Sequence, residues 1–312
     1  MPNSLSRSTT NSSSDTPSLA QIASAVAHSG LGQASSNLRI AFIGGGNMAQ
    51  ALGLGLIESE LSPHNLLVID PSAAAQQKWH DAQVATAAAP RADLAACQVW
   101  VLAVKPQLLE AVLASCRPFL QPNTLVLSVA AGLPATQIAH WLGTNLQPFE
   151  RIVRCMPNTP ALVRQGVTGM MALEGVSADE KHLAERLLQS VGQVVWVADD
   201  AALDAVTALS GSGPAYVFLF LEALIQGGID LGLSPEQARG LALQTVSGAA
   251  QLARDATVDI AQLRANVTSE GGTTAAALAH FEQQDFSTIV RQAMHAAAQR
   301  AAELADEFSS TS

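Results

Sequence analysis

The segment "LRIAFIGGGNMAQALGLGLIES", residues 38–59, decides the fold of this chain. It opens with an apolar run that ends at Ile43 and continues through a glycine cluster into helix-favouring residues from Asn47 onwards. A short continuous apolar run bounded by glycines is typical of a strand that is buried on both faces of a sheet. The segment therefore predicts a strand, a tight turn and a helix in direct succession.

The glycine cluster has the spacing of a dinucleotide-binding turn. Gly44, Gly46 and Ala49 follow the pattern G-x-G-x-x-A, in which the first glycine permits the turn, the second admits a pyrophosphate and the third residue allows close packing. The free N–H groups and the dipole at the helix N-terminus, where Asn47 and Met48 lie, favour the negative charge of a pyrophosphate. A glycine turn with a purely structural role is the alternative.

A second apolar run, residues 65–70, ends in Asp70. An acid at this position commonly accepts a hydrogen bond from the ribose 2′-hydroxyl of a dinucleotide, so that Asp70 favours NAD(H). A site for NADP(H) usually has an arginine or several hydroxyl groups there, whereas here Ser72 is the only hydroxyl nearby and Lys78 is the first basic residue. The residues therefore leave the preference between the two nucleotides open.

Further apolar runs at residues 98–104, 124–130 and 151–156 alternate with stretches that are long enough for helices. Two more strands are predicted in "VTGMMAL" and "QVVWVA", on either side of a helical stretch at residues 178–190. Strands that alternate with helices indicate a doubly wound parallel sheet of the α/β Rossmann type.

After Ala198 the strand pattern nearly ends and helical patterns prevail. Ser234 as an N-cap and Pro235 at the first helical position are start signals for one of these helices. We predict a Rossmann domain at residues 38–198 and an all-α domain at residues 199–312, with helices over residues 199–209, 214–231, 235–255, 274–281 and 286–307.

Two polar loops leave predicted strands at the edge of the sheet where ligands of such folds bind. "AVKPQ" supplies Ala103, Lys105 and Pro106, and Lys105 is a candidate to face the cofactor or the substrate. "CMPNTPA" supplies Asn158 and Pro160 in a stiff segment that suits the nicotinamide end of a dinucleotide. A solvated lysine and a plain turn are the respective alternatives.

The stretch "VTSEGGTTAAALAH", residues 267–280, places small hydrogen-bonding groups before an alanine-rich helix. Consecutive N–H groups at residues 271–274, together with the hydroxyls of Ser269, Thr273 and Thr274, would hold a small carboxylate without any arginine. An N-cap and turn without a ligand is an equal alternative.

Composition excludes some function classes. The net charge is −10 and the sequence has no basic run, which argues against nucleic acid as a partner. Three cysteines without a C-x-x-C pair fit a reducing cytoplasm and offer no metal site. Hydrophobic residues make up 48% of the chain and charged residues only 13%, which indicates a surface that is partly hidden by helix or subunit packing.

Two segments need separate interpretation. Residues 1–37 are rich in Ser, Thr and Asn, and we expect a disordered extension, with a transit peptide as a weak alternative and no apolar stretch for a secretory signal. Residues 215–233 are the most apolar part of the chain, but Glu222, Gln226 and Asp230 interrupt them. This stretch is therefore predicted to be a buried helix and not a membrane span.

Several motifs in their order along the chain resemble the pyrroline-5-carboxylate reductase family: "FIGGGNMAQAL", "VKPQ", "SVAAGL", "RCMPNTPALV", "TALSGSGPAYVFLFLEAL", "LALQTVSGAA" and "VTSEGGTT". The resemblance runs from about residue 38 to the C-terminal helix, and "MPNTPA" and "SGSGPAY" are its most specific parts. It implies hydride transfer from NAD(P)H to the C=N bond of 1-pyrroline-5-carboxylate, which gives L-proline in the last step of proline biosynthesis. NADPH is the family's expected cofactor, and Asp70 adds NADH as a second candidate.

The resemblance also implies roles for residues and an assembly. The family's substrate-binding loop corresponds to Thr268, Ser269, Gly271, Gly272, Thr273 and Thr274, and Thr274 is the candidate for a hydrogen bond to the ring nitrogen. The nicotinamide surroundings correspond to Ala103, Lys105, Asn158 and Pro160. Family members form homodimers through the helical domain, often assembled further into decamers of five dimers.

One residue departs from the family pattern, because Glu270 stands where the family usually has proline. Glutamate frees an N–H group, loosens the loop and brings a negative charge near the expected carboxylate site. We expect the side chain of Glu270 to point to solvent and a Glu270→Pro variant to have a lower KM.

Two other functions fit parts of the sequence. A β-hydroxyacid dehydrogenase combines the same architecture with a catalytic lysine in the helical domain, but no lysine occurs between Ala205 and Arg300. A non-catalytic dinucleotide-binding sensor or scaffold is compatible with the glycine turn and with the change at Glu270.

Overall fold

The computed structural model describes Leu19, Gln21 and residues 37–144 and 146–310. The extension predicted at residues 1–37 therefore lies almost wholly outside the described residues. Contacts divide the chain into two compact units. Of the described residues, those up to 128 and those at 139–153 and 172–190 form the first unit, and those at 129–138, at 154–171 and from 191 onwards form the second.

The described residues form an eight-stranded sheet in the order β3-β2-β1-β4-β5-β6-β7-β8. Every residue of β1, β2, β4 and β5 is buried, which confirms that these apolar runs are strands covered on both faces. Parallel pairing sets Ile40 opposite both Leu66 and Val99. The strands are β1 (Ile40–Ile43), β2 (Leu66–Ile69), β3 (Ala85–Ala87), β4 (Val99–Leu102), β5 (Leu125–Ser128), β6 (Ile152–Met156), β7 (Gly166–Ala172) and β8 (Gly192–Trp196).

Helices follow the strands through residue 189, as the sequence predicts. The Ser72 hydroxyl accepts a hydrogen bond from the Ala75 N–H at the start of α2, and Ser177 and Glu180 form a capping box on α5. These local signals fix where the helices begin. The helices of this part are α1 (Asn47–Glu58), α2 (Ala73–Asp81), α3 (Pro106–Cys116), α4 (Ala135–Leu142) and α5 (Ala178–Gln189).

The last third of the chain is helical, as predicted. Ser234 and Gln237 form a capping box with Pro235 in the first turn, so the predicted start signal is confirmed. The elements are α6 (Asp200–Val206), a π-helical turn (Thr207–Gly211), α7 (Gly213–Asp230), α8 (Pro235–Asp255), α9 (Ile260–Asn266), α10 (Thr273–Gln283) and α11 (Phe286–Ser310).

The prediction of a single α-helix over residues 199–209 was wrong at its C-terminal end. The hydroxyls of Thr207 and Ser210 donate to carbonyls four residues back, and the Ser212 N–H reaches the Thr207 carbonyl at 2.9 Å. Side-chain bonds of this kind compete with the regular helical pattern and widen the turn. The sequence also did not predict α9, whose N-terminus is capped by the Asp259 carboxylate.

Helix α7 forms where the sequence predicts it, but it is not buried within the single chain. Among the described residues α8 packs along it, yet no residue of α7 is buried. A groove of about 610 Å³ remains open within the second unit, lined by apolar side chains of α7, α10 and α11 such as Phe220, Leu224, Phe281, Phe286 and Ile289. The continuous helical segment at residues 200–230 is also long and apolar enough to cross a membrane by length and composition, since an 18-residue window within it has a mean hydropathy of 1.4.

Candidate active site

The turn after β1 requires glycine at its first position. Gly44 has a backbone φ of +95°, which residues with a side chain rarely adopt, and its N–H donates to the Ile69 carbonyl at 2.8 Å. A Cβ atom at this position would lie 2.6 Å from the carbonyl oxygen of Ala103. The close approach brings the end of β1 directly beside the end of β4, as expected at the ligand-binding edge of such a sheet.

The N-terminus of α1 is open to a ligand. Gly46 is its N-cap residue and has no side chain to satisfy the first N–H groups, and α1 has no acidic residue in its first turn. Among the described residues, no atom outside the turn lies within 4 Å of a Cβ built on Gly46. Gly46 and Asn47 are exposed, whereas Ala49 is fully buried. This geometry suits a pyrophosphate on the helix N-terminus.

Asp70 shapes the turn directly. One oxygen of its carboxylate accepts the Gly45 N–H at 2.7 Å, and the other accepts the Ser72 N–H at 2.8 Å. Each oxygen retains a lone pair for a further donor, as a ribose hydroxyl would require. Lys78 is exposed on α2. Asp70 thus combines a structural role with the predicted position at the end of β2.

The loop between β4 and α3 presents its residues to solvent to different degrees. Ala103 is half-buried and donates its N–H to the Ile43 carbonyl at 2.8 Å. Lys105 is exposed and precedes α3, and Pro106 occupies the first turn of that helix. The Lys105 ammonium is therefore available to a ligand at this edge of the first unit.

Asn158 is more tightly held than the sequence indicates. Its side-chain oxygen accepts the Val167 N–H at 3.0 Å, and its side-chain nitrogen donates to the Ser210 carbonyl at 3.1 Å. The residue is only 8% exposed. Its amide therefore connects the segment before Pro160 to β7 and to the π-helical turn, and we assign it a positioning role in that part of the second unit.

The loop between α9 and α10 contains a tight turn at residues 269–272. The Gly272 N–H donates to the Ser269 carbonyl at 3.1 Å, and Gly271, the third residue of the turn, has φ +69°. A positive φ at that position is the mark of a type II turn, which favours glycine there and proline at the residue before it. Glu270 occupies that preceding position and is exposed, which agrees with the predicted orientation of its side chain to solvent.

Small residues in this loop serve two further purposes. A Cβ atom on Gly272 would lie 2.5 Å from the Ser269 hydroxyl, so glycine leaves room for that hydroxyl beside the helix start. The Thr268 hydroxyl donates to the Arg264 carbonyl at 2.6 Å and thereby caps the end of α9. The Thr268 hydroxyl is therefore already engaged as a donor and is not available to donate to a carboxylate.

The N-terminus of α10 is open in the same way as that of α1. Gly272 is its N-cap residue and lacks a side chain, so the N–H groups of the first turn receive no acceptor from the cap. Thr273 is exposed and Thr274 is half-buried in this turn. N–H groups and hydroxyls therefore converge at residues 269–274, as an anion site requires.

Outside these loops, burial raises the pKa values of three thiols and of a carboxyl group near a buried arginine. Burial raises the pKa of the Cys97 and Cys116 thiols to about 11, and it raises that of Cys155 further. Arg154 is buried and pairs with Asp200 on α6, and burial raises the pKa of the nearby Asp204 carboxyl. Across the described part of the chain, no cluster of three His, Cys, Asp or Glu residues could hold a metal ion.

Sequence reasoning missed the side chains behind the glycine turn. The Trp79 indole and the Gln50 amide both donate to the Gly45 carbonyl, each at 3.1 Å. No motif signals either residue, because they come from the middle of α2 and from α1 and meet only in the folded chain. The four Trp residues gave no reason to single out one of them.

The Rossmann sheet, the glycine turn and the open start of α1 define a pyridine-nucleotide-dependent oxidoreductase with a helical second part. Comparison with known protein families supports this class of protein. Residues 39–132 match the family described as NADP oxidoreductase, coenzyme F420-dependent, and residues 200–304 match pyrroline-5-carboxylate reductase dimerisation. The second match supports a homodimer formed through the helical region.

The chain belongs to the pyrroline-5-carboxylate reductase family. It is 46% identical over 274 residues to the pyrroline-5-carboxylate reductase of Pseudomonas aeruginosa, covering 88% of this chain and 99% of that protein. The structure of the enzyme from Coxiella burnetii is 40% identical, with a TM-score of 0.79 over 86% of this chain and 98% of that one. The NADP-bound enzyme from Plasmodium falciparum is 30% identical, with a TM-score of 0.76 over the same shares.

Proposed function

We propose that this chain reduces 1-pyrroline-5-carboxylate to L-proline with a reduced nicotinamide nucleotide, as the last step of proline biosynthesis. The observation that carries the proposal is a 46% identity that extends over 99% of the Pseudomonas aeruginosa reductase. Two helix N-termini that are open to anions support it, because the reaction needs one for a diphosphate and one for a carboxylate.

The nucleotide site belongs to the ends of β1, β2 and β4. The diphosphate binds at the start of α1, where Gly44, Gly46, Asn47 and Met48 lie, and the adenosine ribose binds at Asp70. Ala103, Lys105, Asn158 and Pro160 are the residues proposed for the nicotinamide end, and Pro106 is proposed as a further cofactor-binding residue. When bound, the reduced nicotinamide supplies the hydride. We propose NADPH as the main nucleotide, as in the NADP-bound relative, with NADH as a second one because Asp70 has no basic neighbour before Lys78.

The substrate carboxylate binds in the loop before α10. The Ser269 and Thr273 hydroxyls and the N–H groups of Gly271, Thr273 and Thr274 donate to it, and the dipole of α10 adds to the attraction. Gly272 shapes this loop, because its N–H donates to the Ser269 carbonyl. Thr268 supports this loop through its bond to the Arg264 carbonyl. An acidic protein thereby holds a small anion with local donors.

The chemical step requires little acid–base catalysis. A cyclic imine is basic enough to be protonated near neutral pH, and the protonated form accepts hydride readily. The Thr274 hydroxyl holds the ring nitrogen by a hydrogen bond, and Lys105 is proposed as a second catalytic residue. Positioning of the two reactants therefore supplies most of the rate enhancement.

The domain boundaries, the oligomeric assembly and the cellular location are part of the same proposal. We assign residues 38–198 to the nucleotide domain and residues 199–312 to the substrate and dimer domain. A second copy of the chain covers the apolar groove on α7, and five dimers assemble into a decamer in the cytoplasm. Light scattering during size-exclusion chromatography measures the mass; a monomer at micromolar concentration would contradict the dimer.

The decisive assay mixes the purified chain with 1-pyrroline-5-carboxylate and either NADPH or NADH and follows the absorbance of the reduced nicotinamide. We expect oxidation of the nucleotide with stoichiometric formation of proline. Binding of nucleotide without turnover would favour the sensor or scaffold. Turnover of β-hydroxyacids in place of the imine would favour the dehydrogenase, although the helical region lacks the lysine that such an enzyme needs.

A further inference from the structure

We propose that Trp79 is a positioning residue for the diphosphate of the nucleotide. This inference rests on the proposed function, because it concerns the same nucleotide site. Trp79 lies on α2 and is 1% exposed. Its indole N–H donates to the Gly45 carbonyl at 3.1 Å, in the middle of the glycine turn.

The bond matters because of the geometry of the peptide that it holds. The Gly45 carbonyl and the Gly46 N–H belong to one planar trans peptide, so they point in opposite directions. An indole that holds the carbonyl on the protein side therefore turns the Gly46 N–H outwards. Gly46 as a whole is exposed, and no described atom outside the turn would contact an added Cβ within 4 Å. Trp79 thus orients a donor that a diphosphate would meet.

Two further contacts show that the arrangement is tightly built. The Gln50 amide donates to the same Gly45 carbonyl at 3.1 Å, and the Gly45 N–H donates to the Asp70 carboxylate at 2.7 Å. Three side chains therefore hold one glycine residue. Donors on the carbonyl also polarise the peptide and strengthen its N–H as a donor.

Packing leaves the indole little freedom to move. A Cβ atom on Gly53 of α1 would lie 2.5 Å from the Trp79 ring, and the rings of Phe42 and Trp79 have centroids 5.7 Å apart. The ring is wedged between α1 and β1, so its N–H reaches the turn in one direction only. A smaller ring would fill most of this space but would lack the donor.

The test compares Trp79→Phe with a matched control, Trp100→Phe. Trp100 is equally buried in the same unit, and its indole donates to the Leu94 carbonyl at 3.3 Å, away from the glycine turn. Calorimetry measures binding of ADP, which carries a diphosphate, and of adenosine, which does not. Circular dichroism checks that each variant is folded.

We expect Trp79→Phe to weaken ADP binding about three- to tenfold, the change typical for loss of one hydrogen bond. Adenosine binding stays unchanged, kcat at saturating nucleotide stays within about twofold, and Trp100→Phe binds ADP as the unaltered chain does. Equal ADP binding by Trp79→Phe and the unaltered chain would overturn the inference, and so would an equal loss for ADP and adenosine.

A second variant decides the case if Trp79→Phe does not fold. Gln50→Met removes the other donor to the same carbonyl from a partly exposed position on α1. A selective loss of ADP binding in this variant supports the role of the held carbonyl, and no loss overturns it. If the unaltered chain binds neither ADP nor NADPH, the proposed function itself has failed, which is a different result from normal binding with no effect of the substitutions.

Discussion

The substitution Glu270→Pro tests how the loop before α10 binds its ligand. Glu270 is the second residue of the turn at residues 269–272, and Gly271 has the positive φ that a type II turn requires at its third residue. Proline presets the backbone of the second position. Within the described residues the Glu270 N–H makes no hydrogen bond, so proline removes no bond there.

The expected magnitude follows from the loss of freedom in the unbound loop. A compatible change to proline is worth about 0.4–1 kcal/mol, which corresponds to a KM for the imine roughly two- to fivefold lower. Removal of the Glu270 charge contributes at most about 1 kcal/mol at 4 Å in water, and less when salt screens an exposed group. Rigidity and charge are therefore comparable in size and need separate controls.

Glu270→Gln supplies that control, since it removes the charge and keeps the backbone N–H. Initial rates at saturating NADPH, measured over a range of imine concentrations at two salt concentrations, give KM for each variant. We expect a salt-dependent decrease in KM for Glu270→Gln and a further, salt-independent decrease of about two- to fivefold for Glu270→Pro. A KM that rises in Glu270→Pro would refute the assignment of this turn to the substrate site.

Three further predictions concern other residues of the site. Gly44→Ala should lower the free energy of unfolding by about 1–3 kcal/mol, because Gly44 has a positive φ and an added Cβ would contact the Ala103 carbonyl. Gly46→Ala should leave the free energy of unfolding nearly unchanged and raise the KM for the nucleotide. Urea unfolding and steady-state kinetics distinguish the two variants, and equal losses of stability would contradict this prediction. Thr274→Ala should lower kcat at least about tenfold, or 1.4 kcal/mol, and Thr274→Ser should retain most of it; unchanged kinetics in the alanine variant would remove this hydroxyl from the mechanism. Asp70→Ser should raise kcat/KM for NADPH relative to NADH, because it removes a negative charge near the ribose; an unchanged ratio would exclude Asp70 from nucleotide selection.

Local patterns account for what the sequence predicts well. The strands β1, β2 and β4 are continuous apolar runs because both faces of the sheet are covered, and Gly44 follows because only glycine fits a positive φ next to a carbonyl. The start of α8 is predicted for the same reason, since Ser234 and Pro235 act within one turn of chain.

Features that depend on distant residues were not predicted. The strand β3 has only three residues and no fully buried one, so its sequence has no apolar pattern. The assignment of Asn158 to the nucleotide site stays a prediction, but the sequence did not show that its amide also bonds to Val167 and to Ser210, the latter 52 residues away. The role of Trp79 likewise becomes visible only when α2 has folded against the glycine turn.

The central claim is that the loop at residues 269–274 binds the carboxylate of the imine. The most direct test compares kcat/KM of Ser269→Ala for 1-pyrroline-5-carboxylate and for 1-pyrroline, which has the same ring and no carboxylate. Loss of one hydrogen bond to a charged group predicts a decrease of about tenfold or more for the carboxylate substrate and none for 1-pyrroline. Equal decreases for both imines, or no decrease for either, would contradict the account.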